Sequence, residues 1–283
     1  MLDKLKAWSL YLLPTHLISR VVYRFTRSRN KFLKNALTRW YIKHFKINMD
    51  LAAKTDPFAY ETFNEFFTRK LRSGARPLPN DENTIACPVD GCISQIGRID
   101  SDRIFQAKGH DFSLTTLLGG NENMASLFLG GHYTTLYLSP QDYHRIHMPV
   151  NATLNEMIYV PGRLYGVFAA AVNTIPGIFS RNERVICHFS SDKGPMVMVL
   201  VGALNVGSIE TTWHGEVTPP HRRNGQSWTY HNNPLYLDRG DEMGRFNMGS
   251  TVILIHAADQ IDWQKELAAG DKVVMGQGIG HYN

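Results

Sequence analysis

The chain has 283 residues, of which 43% are apolar and only 19% charged, so it can bury a core, and it carries no long low-complexity stretch. Its formal charge of +5 is uneven, with +9 on residues 1–50 and −4 on the remainder, which points to an anionic partner for the first segment. Three cysteines, Cys87, Cys92 and Cys187, without a Cys-x-x-Cys pair, set aside a disulfide scaffold and a structural zinc site and fit a reducing compartment.

Residues 1–50 predict helices. Leu2, Leu5, Trp8 and Leu12 fall at helical spacing, as do Ile18, Val21, Val22 and Phe25, and then Leu33, Ala36, Leu37, Trp40 and Tyr41. Between them lie Arg20, Arg24, Arg27, Arg29, Lys31, Lys34, Arg39 and Lys43. Apolar faces opposed by basic ones suit helices lying in an anionic lipid surface, and equally a helical cap with a solvated outer face. Nucleic acid ranks behind both, since no binding motif accompanies the charge. The apolar piece at 7–19 is too short to span a membrane and lacks a small-residue cleavage site after it.

A further helix is expected over 56–72, with Phe63, Phe66, Phe67 and Leu71 as its apolar face, and Pro77 and Pro79 mark a boundary. From about residue 85 the texture changes to short β-rich runs: 93–99, 133–138, 155–160, 184–190, 196–209, 251–256 and 272–275. Short helices are expected at 113–118 and 122–128. The fold class is α+β, with a β-rich body over 51–283 behind a basic amphipathic helical region over 1–50.

Three stretches could carry chemistry. In Pro88-Val89-Asp90-Gly91 the acid sits at a turn, either as an ordinary Asp-Gly turn or as a carboxylate orienting a histidine. In Pro140-Gln141-Asp142-Tyr143-His144-Arg145-Ile146-His147-Met148-Pro149 the two histidines lie three apart; one could act as a base to a hydroxyl and the other as a proton donor, or both could be idle surface groups. A metal reading of His-x-x-His lacks a carboxylate at zinc spacing, so no metal site is expected. In Met248-Gly249-Ser250-Thr251 a permissive glycine precedes a hydroxyl and a β-branched apolar run. The plain reading is a turn before a strand. The chemical one is an N→O acyl shift, in which the Ser250 oxygen attacks the Gly249 carbonyl, elimination releases the upstream chain, and hydrolysis leaves a pyruvoyl group at position 250. The Asp-Lys pairs at 192–193 and 271–272 read as plain turns rather than lipoyl hairpins, and no Gly-x-Ser-x-Gly or phosphate-cradling loop is present.

Taken together, these stretches resemble the phosphatidylserine decarboxylases of the bacterial, membrane-associated type. The resemblance rests on Phe63-Asn64-Glu65-Phe66-Phe67-Thr68-Arg69, Pro88-Val89-Asp90-Gly91, Lys108-Gly109-His110-Asp111-Phe112-Ser113-Leu114, Tyr137-Leu138-Ser139-Pro140, Tyr143 to Pro149, and Gly249-Ser250-Thr251, all in order along the chain. Met248 stands where the family usually has leucine, a change of similar volume. The resemblance implies a self-cleavage triad of Asp90, His147 and Ser250, with Asp90 holding His147 and His147 taking the Ser250 proton. It implies cleavage into a large chain, 1–249, and a small chain, 250–283. Residue 250 becomes a covalent pyruvoyl cofactor that forms a Schiff base with phosphatidylserine, and His144 is the proton donor in decarboxylation to phosphatidylethanolamine. It further implies a homodimer bound peripherally to the cytoplasmic face of the inner membrane through an anionic lipid surface. The competing readings are a serine hydrolase of membrane lipid with an uncleaved chain, and a non-enzymatic membrane-binding module.

Overall fold

The computed structural model describes residues 7–107, 109–204 and 208–283. Leu2 and Leu5, Lys108 of the Lys-Gly-His stretch, and 205–207 of the expected strand 196–209 therefore lie outside the described residues. Helix α1 (Thr15–Thr26) and helix α2 (Lys31–Phe45) follow a helical turn at 7–9. Helix α2 starts where the Asn30 side chain accepts the Leu33 N–H at 3.1 Å and stops where Lys46 turns left-handed with φ +53°.

The helix expected over 56–72 is only one turn long, α3 (Phe63–Phe67), capped by Thr62 and by Glu65 reaching back to the Glu61 N–H at 3.0 Å. The preceding carbonyls are committed elsewhere. Lys34 of α2 is buried, not part of a solvated face, and its ammonium donates to Phe58 O at 2.7 Å and Tyr60 O at 2.8 Å. Tyr41 of α2 packs among Phe63, Phe66 and Phe67 in an aromatic cluster that also receives Met248.

The body is antiparallel. Its main sheet runs in the order β12 (Gln226–Thr229), β7 (Ala152–Val160), β8 (Arg184–Ser191), β9 (Gly194–Val201), β15 (Ser250–His256), β5 (His132–Leu138), β2 (Gly91–Arg98) and β17 (Lys272–Val273), with β13 (Leu235–Leu237) added to β7. Beside it lies a smaller sheet in the order β11 (Gly215–Thr218), β10 (Ile209–Thr211), β14 (Glu242–Phe246) and β6 (Arg145–His147). A three-stranded sheet of β1 (Thr84–Ala86), β18 (Gly278–Tyr282) and β16 (Ile261–Trp263), a hairpin of β3 (Arg103–Ala107) and β4 (His110–Ser113), and single-turn helices α4 (Leu114–Leu117), α5 (Glu122–Ser126), α6 (Ala169–Val172) and α7 (Ile178–Arg181) complete it. The expected strand over 196–209 ends at Val201, and β10 joins the smaller sheet instead. All seven residues of β15 are buried between β5 and β9, which explains its unbroken apolar run.

The connection of the two sheets positions the site. Strands β5 and β15 pair in the large sheet, with Leu138 opposite Ser250. Strands β6 and β14 pair in the small sheet, with Arg145 opposite Arg245. Two of the crossings between the sheets, after Leu138 and before Ser250, are tied together by the Phe246 N–H donating to His144 O at 3.0 Å.

Candidate active site

The Gly249–Ser250 bond lies on the second crossing. Met248 has φ +154° and Gly249 φ +52°, so two successive residues before the bond take positive φ, and one of them carries a side chain. A side-chain-bearing residue at positive φ is uncommon, and such strain collects where the surroundings over-determine the backbone. Here Asn247 supplies the anchor. Its side-chain amide donates to Ser208 Oγ at 2.8 Å, and its carbonyl oxygen accepts from Asn64 Nδ2 at 3.0 Å. Ser250 Oγ is buried with no partner.

His144 comes from the neighbouring crossing. Its Nδ1–H donates to the Asp142 carbonyl at 2.8 Å, which leaves Nε2 with the lone pair, buried and unpartnered. A methyl carbon built on Gly249 would lie 3.7 Å from that Nε2. Burial pushes the His144 pKa down to about 3, with the Arg69 guanidinium adding to the effect, so the ring is neutral. Phe67 stacks on it at 4.1 Å between centroids.

His147 and Asp90 form the next layer. His147 Nδ1–H donates to Gly240 O at 2.7 Å, and the Tyr143 hydroxyl donates to His147 Nε2 at 2.9 Å. Burial lowers the His147 pKa, while the Gly240 carbonyl, Glu242 and Asp90 pull it back up. The Pro88-Asp90 turn meets the strand of His147 through the His147 N–H donating to Pro88 O at 2.9 Å. The Asp90 carboxylate itself accepts two bonds from Arg76, at 3.0 and 2.5 Å, and the Met275 N–H at 2.8 Å. Gly91 is required next to it, because a Cβ there would come within 2.5 Å of Tyr137 O. The fold thus brings Gly249, Ser250 and His144 together, while hydrogen bonds hold His147 to Tyr143 and Gly240 and Asp90 to Arg76 and Met275, with no hydrogen bond between Asp90, His147 and Ser250 among the described residues.

Arg76, Asn247 and the backbone acceptors Asp142 O and Gly240 O were not singled out by the sequence. A carbonyl acceptor has no residue signature, and Arg76 lies 14 positions from Asp90 in no recognisable pattern. Asn64, Phe67 and Arg69, by contrast, all fall inside the 63–69 stretch, which explains why that stretch is so particular.

A cavity of about 670 Å³ opens onto this cluster. Met248, Gly249 and Ser250 line it together with Val21, Phe25 and Trp40 of α1 and α2. The family model described as phosphatidylserine decarboxylase matches residues 63–281, and one described as PSD matches residues 5–46. The chain belongs to the phosphatidylserine decarboxylase family. It is 50% identical over 275 residues to the phosphatidylserine decarboxylase proenzyme of Pseudomonas fluorescens, covering 96% of this chain and 95% of that protein. The proenzyme of the same name from Stutzerimonas stutzeri is 49% identical over 283 residues, covering 99% and 95%, and that from Ectopseudomonas mendocina is 49% identical over 284 residues, covering 99% of each. Membership gives the strained Gly249–Ser250 bond its context, since relatives named proenzymes are made in a form that needs processing, and an uncleaved serine hydrolase is not favoured.

Proposed function

We propose that this chain is a proenzyme that cuts itself between Gly249 and Ser250 and then decarboxylates phosphatidylserine to phosphatidylethanolamine and CO2. The observation that carries the reading is the cavity. It is lined by apolar side chains, reaches from exposed helical residues to the buried, unpartnered Ser250 Oγ, and so joins a lipid-compatible entrance to the hydroxyl that needs processing.

In the cleavage step Ser250 Oγ attacks the Gly249 carbonyl, which the positive φ values at 248 and 249 present in a turn. His147 takes the hydroxyl proton at Nε2 after Tyr143 releases that atom, and the Asp90 carboxylate, held by Arg76, stabilises the imidazolium. A second reading is favoured by one distance: His144 Nε2 is the unpartnered nitrogen next to Gly249, so His144 is the alternative base for this step. Cleavage of His144→Ala with loss in His147→Ala supports the first assignment, and the reverse supports the second.

The residues around position 250 suit a covalent pyruvoyl group formed there, because the Ser250 oxygen and His144 Nε2 are both buried without partners at the cavity end. When bound in this way the pyruvoyl group supplies an electron sink for the pair left by CO2. His144, neutral at rest, accepts the proton of the substrate ammonium at Nε2 and returns it to the carbon that lost CO2. The apolar walls exclude water from that exchange.

Lipid substrate must be met at the bilayer. Trp8, Leu12, Val21, Phe25, Phe32 and Trp40 are all exposed, with Leu12 at 89% and Phe32 at 86%, while Arg20, Arg24 and Arg39 provide charge for an anionic leaflet. Among the described residues no helix is long and apolar enough to cross a membrane. These exposed side chains support a reading of the protein as peripheral on the cytoplasmic face of the inner membrane, with residues 1–50 as the docking region and 51–283 as the catalytic body. The homodimer implied by the resemblance is checked by solution mass. The test of the whole reading is Ser250→Ala: a single uncleaved chain without decarboxylase activity supports it, and a cleaved or active variant overturns it.

A further inference from the structure

A second cluster of reactive side chains lies away from Ser250, where helix α1 meets the body. His16 is on α1, Glu183 precedes β8, and His221 lies on the loop after β11. One ligand-capable atom from each lies within 4.8 Å of the other two. Glu183 is 1% exposed, and both of its carboxylate oxygens contact His221 Nδ1, at 3.0 and 2.9 Å. The Tyr159 hydroxyl donates to Glu183 Oε2 at 2.9 Å and so fixes the carboxylate from behind. His16 Nε2–H donates to Gly162 O at 3.1 Å, which leaves Nδ1 holding the lone pair, buried and without a partner. The two imidazoles stand 5.1 Å apart, edge to face.

A buried carboxylate needs a compensating charge, and among the described ion pairs Glu183 has only His221. Two imidazoles and one carboxylate at this separation are a nitrogen-rich donor set of the kind zinc takes with three protein ligands. Calcium and magnesium prefer oxygen. We propose that His16, Glu183 and His221 bind a divalent transition-metal ion of the zinc type, which staples helix α1 to the catalytic body. In a tetrahedral site with metal–ligand bonds of about 2.1 Å, donor atoms sit roughly 3.4 Å apart, so the cluster closes by at most about 1.4 Å on binding. The metal takes the place of the Nδ1 proton between His221 and Glu183: from an imidazolium that proton leaves to solvent, from the neutral ring it moves to Nε2, and in either case His221 binds as a neutral imidazole while water completes the coordination. Tyr159 on Glu183 and Gly162 O on His16 are the outer partners that hold such ligands in orientation. This site is separate from the chemistry at residue 250 and stands whether or not the decarboxylase reading does.

The test uses the untagged full chain, stripped of metal by chelator and titrated with Zn²⁺ against a chromophoric competitor. One Zn²⁺ per chain is expected, with affinity falling by about 100-fold or more in His16→Gln and in His221→Gln. Cobalt substitution should give the visible bands of a nitrogen–oxygen site without thiolate charge transfer. Trypsin cleavage at Arg20 and Arg24 should slow on adding Zn²⁺ in the parent chain and not in either variant. Circular dichroism spectra and cooperative unfolding transitions like those of the metal-free parent show that the variants fold. Absence of stoichiometric Zn²⁺, equal affinity in the His16→Gln/His221→Gln double variant, or a thiolate signature from cobalt would each overturn the proposal.

Discussion

Strand β15 and helices α1 and α2 are both rich in large apolar residues, and they treat them in opposite ways. In β15 every side chain from Ser250 to His256 is buried against neighbouring strands. In the helices Leu17, Val21, Phe25, Phe32 and Trp40 stay exposed, as does Leu12 in the turn before α1. The sheet completes its own burial, whereas the helices leave theirs open, and an exposed apolar face of that kind marks an interaction surface. The cavity joins the two, so a molecule entering among the helices reaches the first residue of the strand.

The sharpest way to break this comparison is at the strand end. His147→Ala should slow self-cleavage by about 10²–10⁴-fold, while His144→Ala should still cleave and lose a similar factor in decarboxylation, both read by chain splitting on a gel and by CO2 release. At the helix end, replacing Leu12 and Phe32 together by serine removes side chains expected to enter the lipid, each worth about 1.5–3 kcal/mol when buried. Binding to anionic vesicles, measured by sedimentation, should weaken about 100-fold or more, with self-cleavage unchanged. The Gly249→Ala methyl makes only ordinary contact, 3.7 Å from His144 Nε2, but sits on a left-handed backbone at φ +52°. The left-handed region costs a side-chain-bearing residue about 1–2 kcal/mol, so cleavage, followed by its rate after refolding, should change by roughly tenfold.

The smallest effect concerns pH. The folded pKa of His144 is depressed to about 3 from 6.5, so the unfolded chain binds its proton first as pH falls. The stability contributed by keeping this ring neutral is full above pH 6.5 and is lost progressively between 6.5 and 3. Denaturant titrations of the Ser250→Ala chain should show that loss, and adding His144→Gln should reduce the slope by up to about one proton. An unchanged slope would mean that His144 is not held neutral.

The body was legible in the sequence where one strand is one apolar run, as at 251–256, which the structure extends only to Ser250. It was less legible at 56–72, because the spacing of Phe63, Phe66, Phe67 and Leu71 suits a long helix while the buried Lys34 ammonium claims the carbonyls of Phe58 and Tyr60. Helical periodicity reports which side chains share a face and not which carbonyls a distant lysine takes. At the candidate site, residue type and spacing made Ser250, the two histidines and Asp90 candidates beside plain structural readings, and the resemblance to the family gave them their roles. Their partners were not marked, because Asp142 O and Gly240 O are backbone atoms, and Arg76 reaches Asp90 and Asn247 reaches Asn64 and Ser208 only in the folded chain. Of the apolar pattern read at 18–25 and 33–41, Val21, Phe25 and Trp40 are exposed, Ile18, Val22, Leu33 and Leu37 are half-buried and Tyr41 is buried, because periodicity places side chains on a face without telling what covers it.

The central claim is that the chain cuts itself after Gly249 and converts Ser250. The most direct measurement is the intact mass of the purified protein under denaturing conditions. The account predicts two chains split between 249 and 250, with the small one lighter by one ammonia than its serine form. A single active chain of 32.1 kDa retaining an unmodified Ser250 would contradict it.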